Sequence, residues 1–177
     1  MMSGLERVRQ AARRDKEMRF TNLLHHVTEG TLEDAYRSLK RSASAGIDEM
    51  TWAEYGEDLA SRLADLHDRV HGGRYRALPS KRAWIPKADG TKRPLGIAAL
   101  EDKIVLLSVN RIMQAIFEED FAGFRYGFRP RRSQHHALDA VSVGIERRKV
   151  NWIVDADIKG FFDDEKGHTQ IDKANLR

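Results

Sequence analysis

The chain has 177 residues, of which 41% are hydrophobic and 33% charged, enough apolar material for one packed domain or one domain with part of another. It contains no cysteine, which excludes disulfides, thiolate zinc sites and cysteine nucleophiles. Net charge is only +4, but the bases cluster: residues 74–93 hold seven Lys or Arg against Asp89 alone, and residues 121–133 hold four Arg and no acid. Bases interleaved with tyrosines and phenylalanines point to a polyanionic partner. No apolar run approaches the roughly 18 residues of a membrane-spanning helix. The basic opening 1–14 lacks the apolar stretch of a secretory signal. No membrane association is expected, and a cytoplasmic, reducing setting is.

Residues 5–20 read as a basic helix inside an N-terminal helical extension over 1–44. Thr31-Leu32-Glu33-Asp34 resembles a capping box, with aspartate in the usual glutamate place, and predicts a helix through Leu32, Ala35 and Leu39. Residues 42–46 are small and loop-like. Thr51-Trp52-Ala53-Glu54 is a better capping box. Behind it Tyr55, Leu59, Leu63, Leu66 and Val70 recur at spacings of four, four, three and four. They predict one apolar face of a single helix of about five turns, ended by Gly72-Gly73. The histidine pairs His25-His26 and His135-His136 have no metal-ligand spacing, so packing or solvation is their default role.

A hairpin signal follows. Residues 83–87 and 92–97 flank Ala88-Asp89-Gly90-Thr91, and Asp-Gly is a strong turn dipeptide. Pro86 and Pro94 cannot complete a ladder, so both strands belong at an edge. Residues 100–119 predict a buried helix with Ile104, Leu107, Ile112 and Ile116 in the core. After an aromatic, basic loop over 123–130, Ser133 can cap a helix carrying Ala137, Leu138, Val141 and Ile145. Residues 151–162 read as a buried strand.

Three of these segments carry chemistry. On the last strand, alternation places Asp155 and Asp157 on one face. Carboxylates at the end of an apolar strand call for a cation, and Mg²⁺ prefers such oxygens. An exposed strand end is the alternative, and sugar-nucleotide transferases also use an Asp-x-Asp pair. On the hairpin, Lys87 and Arg93 flank the turn and could hold a triphosphate, by charge and by bidentate hydrogen bonds. A merely solubilising tip is the other reading. In the loop, Gly127 would let backbone approach a ligand, while Arg129, Arg131 and Arg132 beside Tyr126 and Phe128 suit a single nucleic-acid strand. Here the alternative is that the aromatics plug a core and the arginines face water.

Taken in order, these blocks resemble those of group II intron reverse transcriptases. Ile85-Pro86-Lys87, Asp89-Gly90 and Arg93-Pro94-Leu95-Gly96-Ile97, continued by Leu100-Glu101-Asp102-Lys103-Ile104-Val105, resemble the first block. Tyr126-Gly127-Phe128-Arg129-Pro130 with Arg132-Ser133 and His136-Ala137-Leu138 resembles the next. Asp155-Ala156-Asp157-Ile158-Lys159-Gly160-Phe161-Phe162-Asp163 resembles polymerase motif A. Upstream, Ala45-Gly46-Ile47-Asp48, Thr51-Trp52 with Tyr55, and Gly73-Arg74-Tyr75-Arg76 are similar to the family's N-terminal region. A sugar-nucleotide transferase would explain neither the hairpin nor the loop.

The resemblance implies an α+β fold, the reverse transcriptase fingers with the first part of a right-hand polymerase palm. Fingers and the start of the palm would occupy 45–150, the motif A strand 151–163, and a polar tail unlike the family 164–177. It implies RNA-directed DNA synthesis by two-metal nucleotidyl transfer, with Mg²⁺ as cofactor. Intron RNA as template, a DNA primer and deoxynucleoside triphosphates would be the partners. Asp157 matches the catalytic metal-binding aspartate, and the Ile158 main-chain carbonyl a further ligand. Lys87 and Arg93 match the triphosphate-binding residues. Phe162, or Phe161 in another register, matches the residue that excludes a ribose 2′-hydroxyl. Arg129, Arg131 and Arg132 fall in a region close to the template.

Three departures stand out. Glu49 occupies a position where the family commonly has glycine, and Leu106 one where glutamine is common. Apart from Phe161-Phe162-Asp163-Asp164, which overlaps the motif A block, no Tyr/Phe-x-Asp-Asp string occurs in the 177 residues, so truncation before the family's later motif and inactivity of the chain alone are expected. A non-catalytic RNA-binding remnant, or half of a split reverse transcriptase, is the alternative.

Overall fold

The computed structural model describes residues 4–156 except Asp89 and Lys149. Helices α1 (Gly4–Arg14), α2 (Glu29–Ser38), α3 (Trp52–Gly56) and α4 (Leu59–His71) precede a hairpin of β1 (Lys81–Pro86) and β2 (Lys92–Ile97). Helices α5 (Leu100–Asp120) and α6 (Gln134–Arg148) follow. The chain divides into two units at the Ala122–Gly123 junction. No helix among the described residues is long and apolar enough to cross a membrane.

The first unit is built on α5, against which α1 and α2 pack, with α4 against α2. Its core joins Leu32, Ala35 and Tyr36 of α2, Tyr55 of α3, Leu63 and Leu66 of α4, and Leu100, Ile104 and Ile112 of α5. The predicted core residues of α5 occupy one face only. Leu106, Val109, Met113 and Phe117 are exposed on another, so this helix is half-buried rather than enclosed.

Helix starts follow local chemistry, with one correction. The cap of α2 is Thr28, not Thr31. The Thr28 hydroxyl accepts from the Thr31 N–H at 3.2 Å, and the Thr31 hydroxyl accepts from the Thr28 N–H at 2.9 Å. Thr31 is thus the reciprocal partner in the box. At α3 the expected cap is present: the Glu54 carboxylate accepts the Thr51 N–H at 2.9 Å and hydroxyl at 2.7 Å. These bonds favour the charged form and hold the Glu54 carboxyl below its ordinary value. The associated stability is present above the unfolded carboxyl's titration and is lost as pH falls through the folded one. Thr51→Val is expected to move the Glu54 midpoint upward in an NMR titration; an unmoved midpoint would reject the box as its cause.

The apolar face from Tyr55 to Val70 belongs to two helices, not one. The chain breaks at Glu57 and Asp58 and restarts as α4, keeping Tyr55, Leu63 and Leu66 buried and Leu59 and Val70 against the core. A Cβ at Gly56 would collide with the Tyr36 hydroxyl. That hydroxyl donates to the Trp52 carbonyl at 2.8 Å, the Trp52 indole N–H donates to the Tyr36 carbonyl at 3.1 Å, and the two rings stack at 4.6 Å. This clasp fixes α3 on α2 before α4 begins. The basic opening helix is also shorter than expected, ending at Arg14.

Glu49 lies at φ +55°, a left-handed conformation that disfavours a side chain. This gives a physical reason for glycine at such a position. Its exposed contact with Lys81, 3.8 Å apart, offsets little. Glu49→Gly is expected to raise stability by about 0.5–1 kcal/mol, read by urea unfolding. A loss of stability would contradict strain at this residue.

In the second unit Ser133 caps α6, its hydroxyl accepting from the His136 N–H at 3.3 Å. Leu138, Val141 and Ile145 are exposed, and no α6 residue is buried, contrary to the expected core face. Phe124, Tyr126, Val141, Ile145, Val150 and Ile153 instead line an open apolar groove of about 340 Å³. Residues 151–156 form no strand and are exposed, Trp152 at 88%. A strand needs hydrogen-bonded neighbours, and β1 and β2 pair only with each other among the described residues.

Candidate nucleotide and nucleic-acid interface

The hairpin register places Ile85 opposite Arg93 and Pro86 opposite Lys92. Beyond the ladder, the Lys87 N–H donates to the Thr91 carbonyl at 2.8 Å and the Gly90 N–H to the Lys87 carbonyl at 3.1 Å. Gly90 takes φ +80°, which the tight turn requires and glycine tolerates. Directly opposed residues share a face, and faces alternate along a strand. Lys87, two residues beyond Ile85, therefore shares the face of Arg93. Sequence alone placed the two on opposite arms; the register brings them to one side of the tip.

The base of the hairpin is held by the first turn of α5. Asp102 is buried and accepts the Tyr75 hydroxyl on Oδ1 and the Leu78 N–H on Oδ2, the latter at 3.1 Å. These contacts fix the segment entering β1. Burial, and then the bond to Asp102, raises the Tyr75 phenol above its ordinary value, so it stays a donor. Glu101 accepts from Arg69 Nη2 on both oxygens at 2.9 Å and from the Tyr55 hydroxyl at 3.2 Å. Lys103 donates to the Ser44 carbonyl at 2.8 Å. On the exit side, Gly46 lies so close to Ala98 and Ala99 that an added Cβ would stand 2.5 Å from the Ala99 Cα. The run from Leu100 to Ile104 is thus a structural clamp: two residues reach the core, and three hold other segments through polar contacts.

In the second unit, Arg129, Arg131 and Arg132 share one turn, closed by the Arg132 N–H on the Arg129 carbonyl at 3.3 Å. Arg129 donates to the Arg125 carbonyl at 3.1 Å, and Arg132 lies 5.2 Å from the centre of the Tyr126 ring. Tyr126 is half-buried, whereas Phe128 is fully exposed at φ +55° and Arg131 lies at φ +60°. Nothing lies within 4 Å of a Cβ added at Gly127, and the left-handed conformations of this loop fall on Phe128 and Arg131. Asp155 is exposed. Asp157, Ile158 and Phe162 lie outside the described residues. Among the described residues no three metal-ligating side chains converge.

Sequence reasoning missed Tyr36, Arg69, Glu101 and Asp102 as organising residues. Their partners are distant in sequence, and the ordered blocks were the only sign that positions 101 and 102 mattered.

Among the described residues the architecture is mixed, predominantly helical with one two-stranded sheet, and is compatible with the α+β class. No protein-family model matches the chain. It is 36% identical over 156 residues to Protein YkfC of Escherichia coli (strain K12), covering 84% of this chain and 41% of that protein. It is 31% identical over 181 residues to the group II intron-encoded protein LtrA of Lactococcus lactis subsp. cremoris, covering 99% of this chain and 29% of LtrA. It is also 39% identical over 133 residues to an uncharacterized 91 kDa protein in a cob intron of Schizosaccharomyces pombe, covering 73% and 16%. The chain's homologues, matched over most of its length, are group II intron-encoded proteins and proteins of mitochondrial introns. The chain spans less than half the length of each of these relatives.

Proposed function

We propose that this chain carries the fingers and the first palm segment of a group II intron reverse transcriptase, an RNA-directed DNA polymerase acting on intron RNA with a DNA primer. The observation that carries the proposal is the hairpin: Lys87 and Arg93 share one face of its tip, and its base is clamped to α5. Lys87 supplies charge to a deoxynucleoside triphosphate, and Arg93 a planar fork for its phosphate oxygens. Phe162 crowds the sugar and disfavours a ribose 2′-hydroxyl. Arg129, Arg131 and Arg132 hold template phosphates.

The donor set of Asp157 and the Ile158 carbonyl suits Mg²⁺, which favours such oxygens. When bound, Mg²⁺ supplies activation of the primer hydroxyl and stabilisation of the departing pyrophosphate. These two groups are only part of a two-metal ligand set, and beyond the motif A block, which Phe161-Phe162-Asp163-Asp164 overlaps, the 177 residues hold no Tyr/Phe-x-Asp-Asp string. Polymerisation therefore requires carboxylates from outside them.

Binding of a fluorescent deoxynucleoside triphosphate in Mg²⁺ tests the hairpin. Lys87→Ala or Arg93→Ala is expected to weaken it roughly tenfold or more, as loss of a charge-assisted hydrogen bond implies; unchanged affinity would reject the assignment. Primer extension by the chain alone is expected to give no product. Incorporation abolished by Asp157→Ala would show that the 177 residues suffice. The second reading, a non-catalytic RNA-binding remnant or half of a split enzyme, draws on the clustered arginines of one turn. Salt-dependent RNA binding without triphosphate binding would favour it.

A further inference from the structure

The hairpin has a second face. Alternation puts Arg82, Trp84 and Pro86 of β1 opposite Gly96, Pro94 and Lys92 of β2, on the side away from Lys87 and Arg93. On the Lys87 side Ala83 and Ile97 are half-buried and Lys81, Ile85, Arg93 and Leu95 are exposed; on the second face all six residues are exposed, with Trp84 at 56%.

We infer that this open face is a docking platform for single-stranded RNA, with Trp84 stacking on a base and Arg82 and Lys92 contacting flanking phosphates. The shape suits that ligand. Trp84 stands directly opposite Pro94, and its diagonal neighbour Gly96 has no side chain to obstruct a planar base. Arg82 and Lys92 lie at opposite ends of the face, each about 7 Å along its strand from the central pair. Neither strand contains an acid, and Arg74 and Arg76 add charge just upstream. An exposed aromatic between cations is the composition of a sequence-tolerant single-strand site. A protein-docking patch would not need both flanking positions to be cationic. The inference does not depend on the triphosphate assignment, which concerns the other face.

Tryptophan fluorescence gives a direct readout. Trp52 is stacked on Tyr36, so Trp152→Phe leaves Trp84 as the exposed indole of the intact chain. In that background an oligouridylate is expected to quench the emission. Trp84→Ala should weaken binding roughly tenfold or more, and Trp84→Phe only a few-fold. Arg82→Ala with Lys92→Ala should lower the slope of log affinity against log salt by about 1.4, two single-strand phosphate contacts. Lys87→Ala with Arg93→Ala should leave the quench intact while removing triphosphate binding. Equal affinity of the parent and Trp84→Ala for oligouridylate would overturn the inference. So would loss of the quench in the Lys87/Arg93 variant, or equally tight binding of an RNA duplex. Far-UV circular dichroism of Trp84→Ala, an exposed position, separates a binding loss from a folding loss.

Discussion

Replacing Asp102 by alanine is expected to cost roughly 2–4 kcal/mol of stability and to release the hairpin from its base. The carboxylate is 6% exposed and accepts two hydrogen bonds, from the Tyr75 hydroxyl and the Leu78 N–H. Hydrogen bonds to a charged group contribute about 1.5–3 kcal/mol each, and a donor left without an acceptor adds its desolvation penalty. Tyr75 is only half-buried and Leu78 exposed, so water recovers part of the loss and the sum falls short of the maximum. Asp102→Asn keeps an acceptor and should cost about half as much. Urea unfolding measures the stability. Hydrogen exchange measures the release, as faster exchange at Leu78 and along β1 than global unfolding explains. Wild-type exchange in Asp102→Ala would mean that the hairpin is held elsewhere. In an active enzyme, displacing Lys87 and Arg93 in this way should weaken triphosphate affinity although neither residue is altered.

Gly46→Ala is expected to destabilise the first unit by roughly 1–3 kcal/mol, the usual range for overpacking. Its Cβ would stand 2.5 Å from the Ala99 Cα, 2.7 Å from the Ala99 nitrogen and 2.9 Å from the Ala98 carbonyl oxygen. All three are backbone atoms, so no side-chain rotation relieves the collision. The loop must move away from the exit of β2, which strains the bond from Lys103 to the Ser44 carbonyl. Gly73→Ala is a useful contrast, since there the penalty comes from φ +66° with no atom nearby. An unaffected midpoint in Gly46→Ala would reject the close approach.

Both residues lie in blocks that the sequence marked as resembling a family, yet their roles are structural. Asp102 and Gly46 touch no group assigned to the reaction. They hold the two ends of the hairpin that carries the proposed triphosphate residues.

What the sequence determined by itself is whatever depends on near neighbours. Spacings of three and four marked the apolar face shared by α3 and α4, and the apolar run from Leu100 marked α5, although the α5 face closes on one side only. Asp89-Gly90 between two short apolar runs located the hairpin, Thr51 and Ser133 were read as caps, and the ordered motifs pointed to the family. Tertiary structure decided whatever depends on distant partners. The break after Gly56 interrupts an apolar period that runs on in the sequence, and there the Tyr36 hydroxyl, 20 residues earlier, leaves no room for a side chain at position 56. The cap of α2 moved to Thr28 because Thr31 answers it from inside the first turn. Arg69 found Glu101 and Tyr75 found Asp102 across 32 and 27 residues, pairings that no local pattern encodes. The shared face of Lys87 and Arg93, and the opposite face of Trp84, came from strand register. A one-residue slip there would have exchanged the faces, because side chains alternate with a period of two.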